Sequence, residues 1–427
     1  MATTNIPYGS PLAVKLQSAG LFAANMQRNT LMNRLTGTFP KQADANNTIR
    51  RQSSAEMPIV KCMDLTKVAG DEITFDLINP MGGKAIMGSR MAEGLGQAMS
   101  FSQDRLRINQ ARYPISAGDT MTQQRTPHEL RTLARSLGES YMNRLADQLI
   151  LTHVAGARGF HNSIEWAVPL ASDPDFADIL VNPLRAPSKN RHFKASVNGI
   201  EPMAASAGNI SMLTTDVLNM TVVDGIRTLM DSMQLAPPPV IFEGDKMASD
   251  APLRVLLVSS EQYTSFVQSS NFRSLQANAI ARSQQAGQNP IFMGEAGLWN
   301  GVLIVKMPKP IRFYAGNPIN YCPSFLSDAE TTTDVVPASF GTAFAVDRAI
   351  LLGGQALAEA WGKHTKSGSP FFFSEKELDH GDKLEILLGA ICGRSKIRFD
   401  IDHGSAGKQI TDYGVIAIDT AVRIAGQ

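Results

Sequence analysis

The chain has 427 residues, enough for two or three domains at about 150 residues each, since single cores stop growing near about 250–300 residues. Hydrophobic residues make up 43% and charged residues 19%, which supplies buried cores and excludes a disordered polyelectrolyte. Forty Lys and Arg against 39 Asp and Glu leave +1, so no global charge draws the chain to nucleic acid or anionic lipid.

Residues 1–70 read as an arm. Ser10-Pro11 opens a helical pattern through Leu12, Leu16, Ala19, Phe22, Ala23 and Met26, followed by polar sequence with too few large apolar residues to bury itself. Residues 71–115 then read as two strands around a long tip. Ile73, Phe75 and Leu77 alternate with Thr74 and Asp76, and the return carries Met99 and Phe101 before Leu106 and Ile108. That change of parity predicts a bulge near Gln103. The tip, residues 80–98, holds Gly82, Gly83, Gly88, Gly94 and Gly96 together with Lys84, Arg90 and Glu93. A lone hairpin is marginal in water, so this one either lies on another surface or is a disordered insertion.

Thr126-Pro127-His128-Glu129 has the spacing of a capping box, and it predicts a helix from Pro127 to Ala155, stopped by Gly156. Leu130, Leu133, Leu137, Tyr141, Leu145 and Leu149 form a narrow apolar stripe; Arg131, Arg135, Glu139 and Asn143 lie opposite, and Gly138 weakens the middle. Residues 160–214 are loop-rich and punctuated by prolines. From Asp216, helix and strand signals alternate: a helix through Val217–Met233, a buried strand at Arg254–Val258, and a second capping box at Ser259–Gln262. Further strands are expected at 301–305, 341–346, 384–392, 396–401 and 414–424, with a helix at 356–361. The totals give an α+β chain with mixed sheets.

Chemistry-bearing motifs are scarce. Gly404-Ser405-Ala406-Gly407-Lys408 is too tightly spaced for a phosphate loop, and Gln409 stands where a magnesium-ligating hydroxyl belongs. Asp379-His380-Gly381-Asp382 and Asp400-Ile401-Asp402-His403 offer imidazoles and carboxylates for a metal or acid–base work, but both groups sit at strand ends and beside glycine, as turns do. Arg394, Lys396, Arg398, Asp400 and Asp402 share one strand parity, with Ile397, Phe399 and Ile401 on the other. That charge ladder is either a solvated face or a zipper to a neighbouring copy. Cys62, Cys322 and Cys392 form no C-x-x-C pair, which fits a reducing compartment, and the apolar run 384–393 is about half of a membrane span. The expectation is a chain neither exported nor anchored.

Several long segments carry a resemblance. Asp64 to Leu77, Ile108 to Arg112, Met121 to Thr126, His153 to Gly159, Asp173 to Ala177 and Asn289 to Gly301 together resemble the major capsid (coat) proteins of short-tailed, schitovirus-like bacteriophages with the Hong Kong 97-type capsid fold. The resemblance implies an N-terminal arm at 1–70, an extended E-loop at 71–117 and a P-domain with a long spine helix at 118–215. It implies an A-domain at 216–352, with 353–427 adding strands that complete both domains. It further implies a homo-oligomer of pentamers and hexamers around double-stranded DNA, with portal, scaffolding and decoration proteins as partners. No catalytic residue, metal, cofactor or membrane site follows from it. The subunit-interface candidates are Lys84, Arg90, Glu93, Arg394, Lys396, Arg398, Asp400 and Asp402. The competing expectations are a metal-dependent hydrolase built on His380 and His403 and an encapsulin-like compartment shell.

Overall fold

The computed structural model describes residues 34–37, 56–66, 69–79, 84–91, 93–96, 98–233, 235–242, 252–269, 277–281, 297–365, 369–402 and 407–424. The helix expected after Ser10-Pro11 lies outside them.

Strand β1 (Ile59–Cys62) precedes the hairpin of β2 (Glu72–Ile78) and β3 (Phe101–Arg107). The chain continues through β4 (Asn109–Asp119), the short helix α1 (Thr120–Arg125) and the long helix α2 (Leu130–Ala155). After α3 (Phe176–Leu180) come β5 (His192–Ser196), β6 (Gly199–Pro202) and the two-residue strands β7 (Ala205–Ser206) and β8 (Asn209–Ile210). Helix α4 (Met220–Ser232), β9 (Arg254–Val258) and α5 (Ser260–Ser269) follow. The remaining strands are β10 (Gly297–Trp299), β11 (Val302–Lys306), β12 (Arg312–Phe313), β13 (Phe344–Leu352) and β14 (Leu357–Trp361). They end with β15 (Phe371–Leu378), β16 (Lys383–Lys396), β17 (Arg398–Asp402), β18 (Lys408–Asp412) and β19 (Val415–Arg423).

Two sheets organise the molecule. An eight-stranded sheet runs β10-β11-β9-β13-β19-β5-β6, with β12 paired to β13; β11–β9 and β19–β5 are parallel and the other pairs antiparallel. A five-stranded sheet runs β1-β14-β16-β15, with β4 also paired to β16. The architecture is α+β with mixed sheets, as expected.

The eight-stranded sheet is covered on both faces, which is why its central strands read as unbroken apolar runs. Alternate residues split between two cores. Val255, Leu257, Leu303, Ile350 and Leu352 pack with Ile150, Leu151 and Val154 of α2, whereas Leu256, Val258, Ile304 and Leu351 pack with Val222, Ile226 and Phe266 of α4 and α5. Helix α2, about 39 Å long at about 1.5 Å per residue, joins the two sheets. Its last turns are buried on all sides, from Asp147 to Ala155, while its first half lies on β4 and β16 through Ala134, Ile115 and Ile386. Gly138 sits at that crossing: a Cβ there would lie 2.4 Å from Leu388 Cδ1 and 2.7 Å from Ile115 Cδ1. The glycine that weakens the helix is what lets it approach the sheet.

Several expectations are corrected. In the first half of α2 the buried positions are Ala134, Gly138 and Ser140 rather than the predicted leucines, Leu137 being 46% exposed; only the end of the stripe holds, with Leu149 buried and Leu145 packed against its cluster. Small residues, not leucines, face the sheet because the helix packs close to it. The capping box at Thr126 does not form. Thr126 ends α1, its Oγ1 accepting from the His128 amide, and the first amide of α2, Leu130, donates instead to Gln123 Oε1 at 3.2 Å. The expected C-terminal stop is present: Gly156 has φ 65° and its amide donates to His153 O. The box at Ser259 does form, with Ser259 Oγ accepting from the Gln262 amide and Gln262 Oε1 from the Ser259 amide. Residues 357–361 are a strand, not a helix, held between β1 and β16. No bulge occurs near Gln103, since Phe101 to Arg107 pair in unbroken register with β2. The parity changes because Ser102 and Asp104 turn inward and Phe101 outward.

Candidate assembly surface

The hairpin is anchored at its root and bare at its end. Ile73, Phe75 and Leu77 pack with Leu106, Ile397, Phe399 and Ile401. Asp104 holds the root electrostatically, accepting from Arg185 Nη1 at 2.9 Å and from the Arg398 amide at 3.0 Å. Farther out, among the described residues, the apolar groups are uncovered: Ile78 is 61% exposed, Phe101 56%, Met87 77%, Met91 73% and Leu95 62%. Lys84, Arg90 and Glu93 are exposed among them. Concentrated apolar exposure on one projection is the signature of a contact surface rather than of ordinary surface scatter.

The charge ladder is placed differently. Arg394, Lys396 and Arg398 are buried within the subunit, so for these three both the solvated-face and the zipper expectations are corrected. Arg394 Nη2 meets Glu359 Oε1 at 2.7 Å, while Lys396 Nζ and Arg398 Nε meet the two oxygens of Asp412 at 2.8 and 2.7 Å. Burial pulls the Lys396 ammonium down to about 8, and its two cationic neighbours hold Asp412 far below the usual carboxylate range. Their sequence positions gave no sign of this, because the neutralising carboxylates come from β14 and β18. Asp400 remains exposed and Asp402 half-buried at the end of β17.

Sequence reasoning also missed two buried networks that brace the eight-stranded sheet. Asp419 receives Arg348 through two bonds, at 2.7 and 2.9 Å, and His192 Nε2 at 2.7 Å. Arg348 Nη1 also donates to Ala155 O, placing a cation at the negative end of α2. Asp347 takes a two-pronged contact from Arg312 and a 2.5 Å hydrogen bond from Ser259 Oγ. Bidentate pairs of this kind fix geometry as well as charge. Two histidines, otherwise isolated in sequence, are thereby interior: His192 in the Asp419 network and His153 against Leu180 O, where burial lowers its imidazole to about 4.

Asp379, His380 and Gly381 all take left-handed φ values, 57°, 56° and 92°, in the turn between β15 and β16, so this segment is a reversal of the chain. His403 and residues 404–406 lie outside the described residues. Among the described residues no group of three or more His, Cys, Asp or Glu side chains is arranged to hold a metal, and no helix is long and apolar enough to cross a membrane. The three cysteines are buried free thiols.

A rigid two-sheet body braced by internal ion pairs, with an anchored hairpin that ends in uncovered apolar side chains, is the build of a subunit made to join copies of itself. The model of the phage capsid protein family matches residues 5–424, and the chain belongs to that family. It is a structural protein of the virion shell, not an enzyme. No curated protein sequence matches the chain. Among solved structures, the capsid of Ralstonia phage GP4 is similar at 24% identity with a TM-score of 0.71, covering 100% of both chains. The capsid of Helicobacter pylori bacteriophage KHP30 is similar at 12% identity and TM-score 0.57, covering 98% of this chain and 99% of that one. The cyanophage Pam1 capsid is similar at 15% identity and TM-score 0.54, covering 96% and 100%. The fold is the Hong Kong 97-type capsid fold.

Proposed function

We propose that this protein is the major subunit of an icosahedral shell, arranged as pentamers and hexamers around the double-stranded DNA genome of a short-tailed, schitovirus-like phage. The observation that carries the reading is the hairpin, whose exposed methionines and leucine have no core of their own. In a free subunit those groups face water, at a cost of about 25 cal/mol per Å² of apolar surface. On a neighbouring copy they are buried. A hairpin that grips the next subunit makes a heterologous contact, and such contacts close into rings. Each contact can be weak, because simultaneous contacts multiply.

On this reading residues 1–70 form the arm, 71–117 the E-loop, 118–215 the P-domain with α2 as spine, and 216–352 the A-domain. Residues 353–427 supply strands to both. Near-neutral charge suits a wall that faces packaged DNA without holding it. Portal, scaffolding and decoration proteins are the expected partners. Expression of the chain, followed by size-exclusion chromatography and negative-stain microscopy, tests the reading. Megadalton shells are expected, and elution as a small soluble oligomer across assembly conditions would refute it.

A further inference from the structure

The segment that follows α3 holds the hairpin where it leaves the body. Strand β3 ends at Arg107 and β4 begins at Asn109, so Ile108 is the pivot at which the chain passes from the hairpin into the five-stranded sheet. Just before that pivot, Asn182 takes both backbone groups of Arg107: its Oδ1 accepts from the Arg107 amide at 2.9 Å, and its Nδ2 donates to Arg107 O at 2.9 Å. The same Nδ2 donates to Arg394 O of β16 at 3.1 Å. One buried side chain thus pairs the hairpin root to the body as a neighbouring strand would. Resting on the shell reading, we propose that Asn182 is a positioning residue for assembly, which together with the strained turn at Val181 sets the angle at which the hairpin meets the next copy.

Val181 has φ 65° and ψ −53°, and the Asn182 amide donates to Leu180 O at 2.7 Å, which is the rare and strained form of the three-residue turn. A β-branched side chain is an outlier in that region of backbone space. The turn persists because both of its neighbours are fixed. Leu180 is buried with Leu149 and Val168, and its carbonyl also meets His153 Nε2 at 3.3 Å. Asn182, two residues on, is committed to the root. Glycine at 181 would remove the strain, so the valine holds this turn at a cost in stability.

The root is seated main chain on main chain. A Cβ on Gly393 would lie 1.8 Å from Arg107 O, so the last residue of the hairpin rests directly on β16. The Ile108 amide closes the hairpin on Asp71 O at 2.9 Å. Unbroken pairing from Phe101 to Arg107 extends the hairpin about 24 Å from this point, at about 3.4 Å per residue. A small rotation at the root is magnified along that length. Where the hairpin's far end meets a neighbouring copy therefore depends on the few atoms that Asn182 holds.

Asn182→Ala in the full chain removes the clamp. Hydrogen exchange of free subunits, read on peptides spanning residues 101–108, is expected to run about tenfold faster than in the wild type, the factor for a lost interaction of about 1.4 kcal/mol. Its particles are expected to be open or of mixed diameter by negative-stain microscopy. Leu151→Ala, in the core away from the root, is expected to lower the melting temperature yet give shells of wild-type diameter, which separates positioning from stability. Val181→Gly relieves the strain and keeps the clamp, so root exchange should slow, the opposite of what truncating a half-buried valine does through lost packing. Wild-type shells from Asn182→Ala, unchanged root exchange in that variant, or faster root exchange in Val181→Gly would each overturn the proposal. If Asn182→Ala does not fold, the direction of the change in Val181→Gly decides. A wild-type chain that forms no particles removes the shell reading and the assembly role with it, a failure told apart from the others because root exchange is measured on free subunits.

Discussion

Asp412 is the side chain whose loss should be felt most sharply. Its carboxylate is fully buried and neutralises Lys396 and Arg398, while also accepting from the Ser188 amide at 3.1 Å. Asp412→Asn keeps the shape and removes the charge. The two cations do not respond alike. Burial holds Lys396 at about 8 even with Asp412 raising it, so once that carboxylate is gone releasing the proton at pH 7 costs less than the about 1.4 kcal/mol of one pKa unit. Arg398 has no such escape, because guanidinium does not deprotonate in proteins. Stranding a buried cation costs about 3–5 kcal/mol, a large share of the about 5–15 kcal/mol that stabilises a typical domain. Urea denaturation of unassembled subunits, followed by circular dichroism, should show a loss of that size at unchanged m-value. Adding Arg398→Met should restore half or more of it, since an apolar replacement removes the stranded charge. A loss below about 1 kcal/mol, or no recovery in the double variant, would refute the view that Arg398 depends on Asp412.

Leu151→Ala, at a position with no exposure, should cost about 2–5 kcal/mol, whereas Leu137→Ala, half exposed, should stay within about 0.5 kcal/mol; the reverse order would invalidate the orientation of α2. Ser259→Ala removes a working N-cap and the bond to Asp347, so it should lose about 1–2 kcal/mol, more than Thr126→Ala, which caps no helix in the way its motif suggested. His153 has a folded pKa lowered by burial from 6.5 to about 4, so the unfolded chain binds its proton first as pH falls. Its stabilising effect is complete above about pH 6.5 and fades toward pH 4, by up to about 3 kcal/mol, and His153→Gln should flatten that part of the stability profile; an unchanged slope would count against the burial. Replacing residues 83–96 by an Asn-Gly turn should leave a folded subunit that forms no closed shells, and normal shells from this variant would deny the tip any part in assembly.

Local chemistry alone determined a good deal of this protein. The alternation of Ile73, Phe75 and Leu77, the stop at Gly156, the reciprocal cap at Ser259 and Gln262 and the turn at Asp379–Gly381 each depend on residues within a few positions of one another. The bare tip was legible too, because a glycine-rich segment with scattered methionines has no neighbours in sequence to bury them. What tertiary structure decided were cases with two locally acceptable answers. Thr126 and Glu129 could have formed a box, but the Thr126 amide donates to Gln123 O of the preceding helix and its Oγ1 accepts from the His128 amide, so both of its halves are engaged elsewhere. Residues 357–361, alanine-rich enough for a helix, lie between two strands that needed a third to satisfy their backbone groups. Arg394, Lys396 and Arg398 looked like a solvent-facing row because their period is that of a strand. Whether such a row faces water or the interior depends on whether carboxylates meet it there, and Glu359 and Asp412 arrive from strands that only the folded sheets bring alongside.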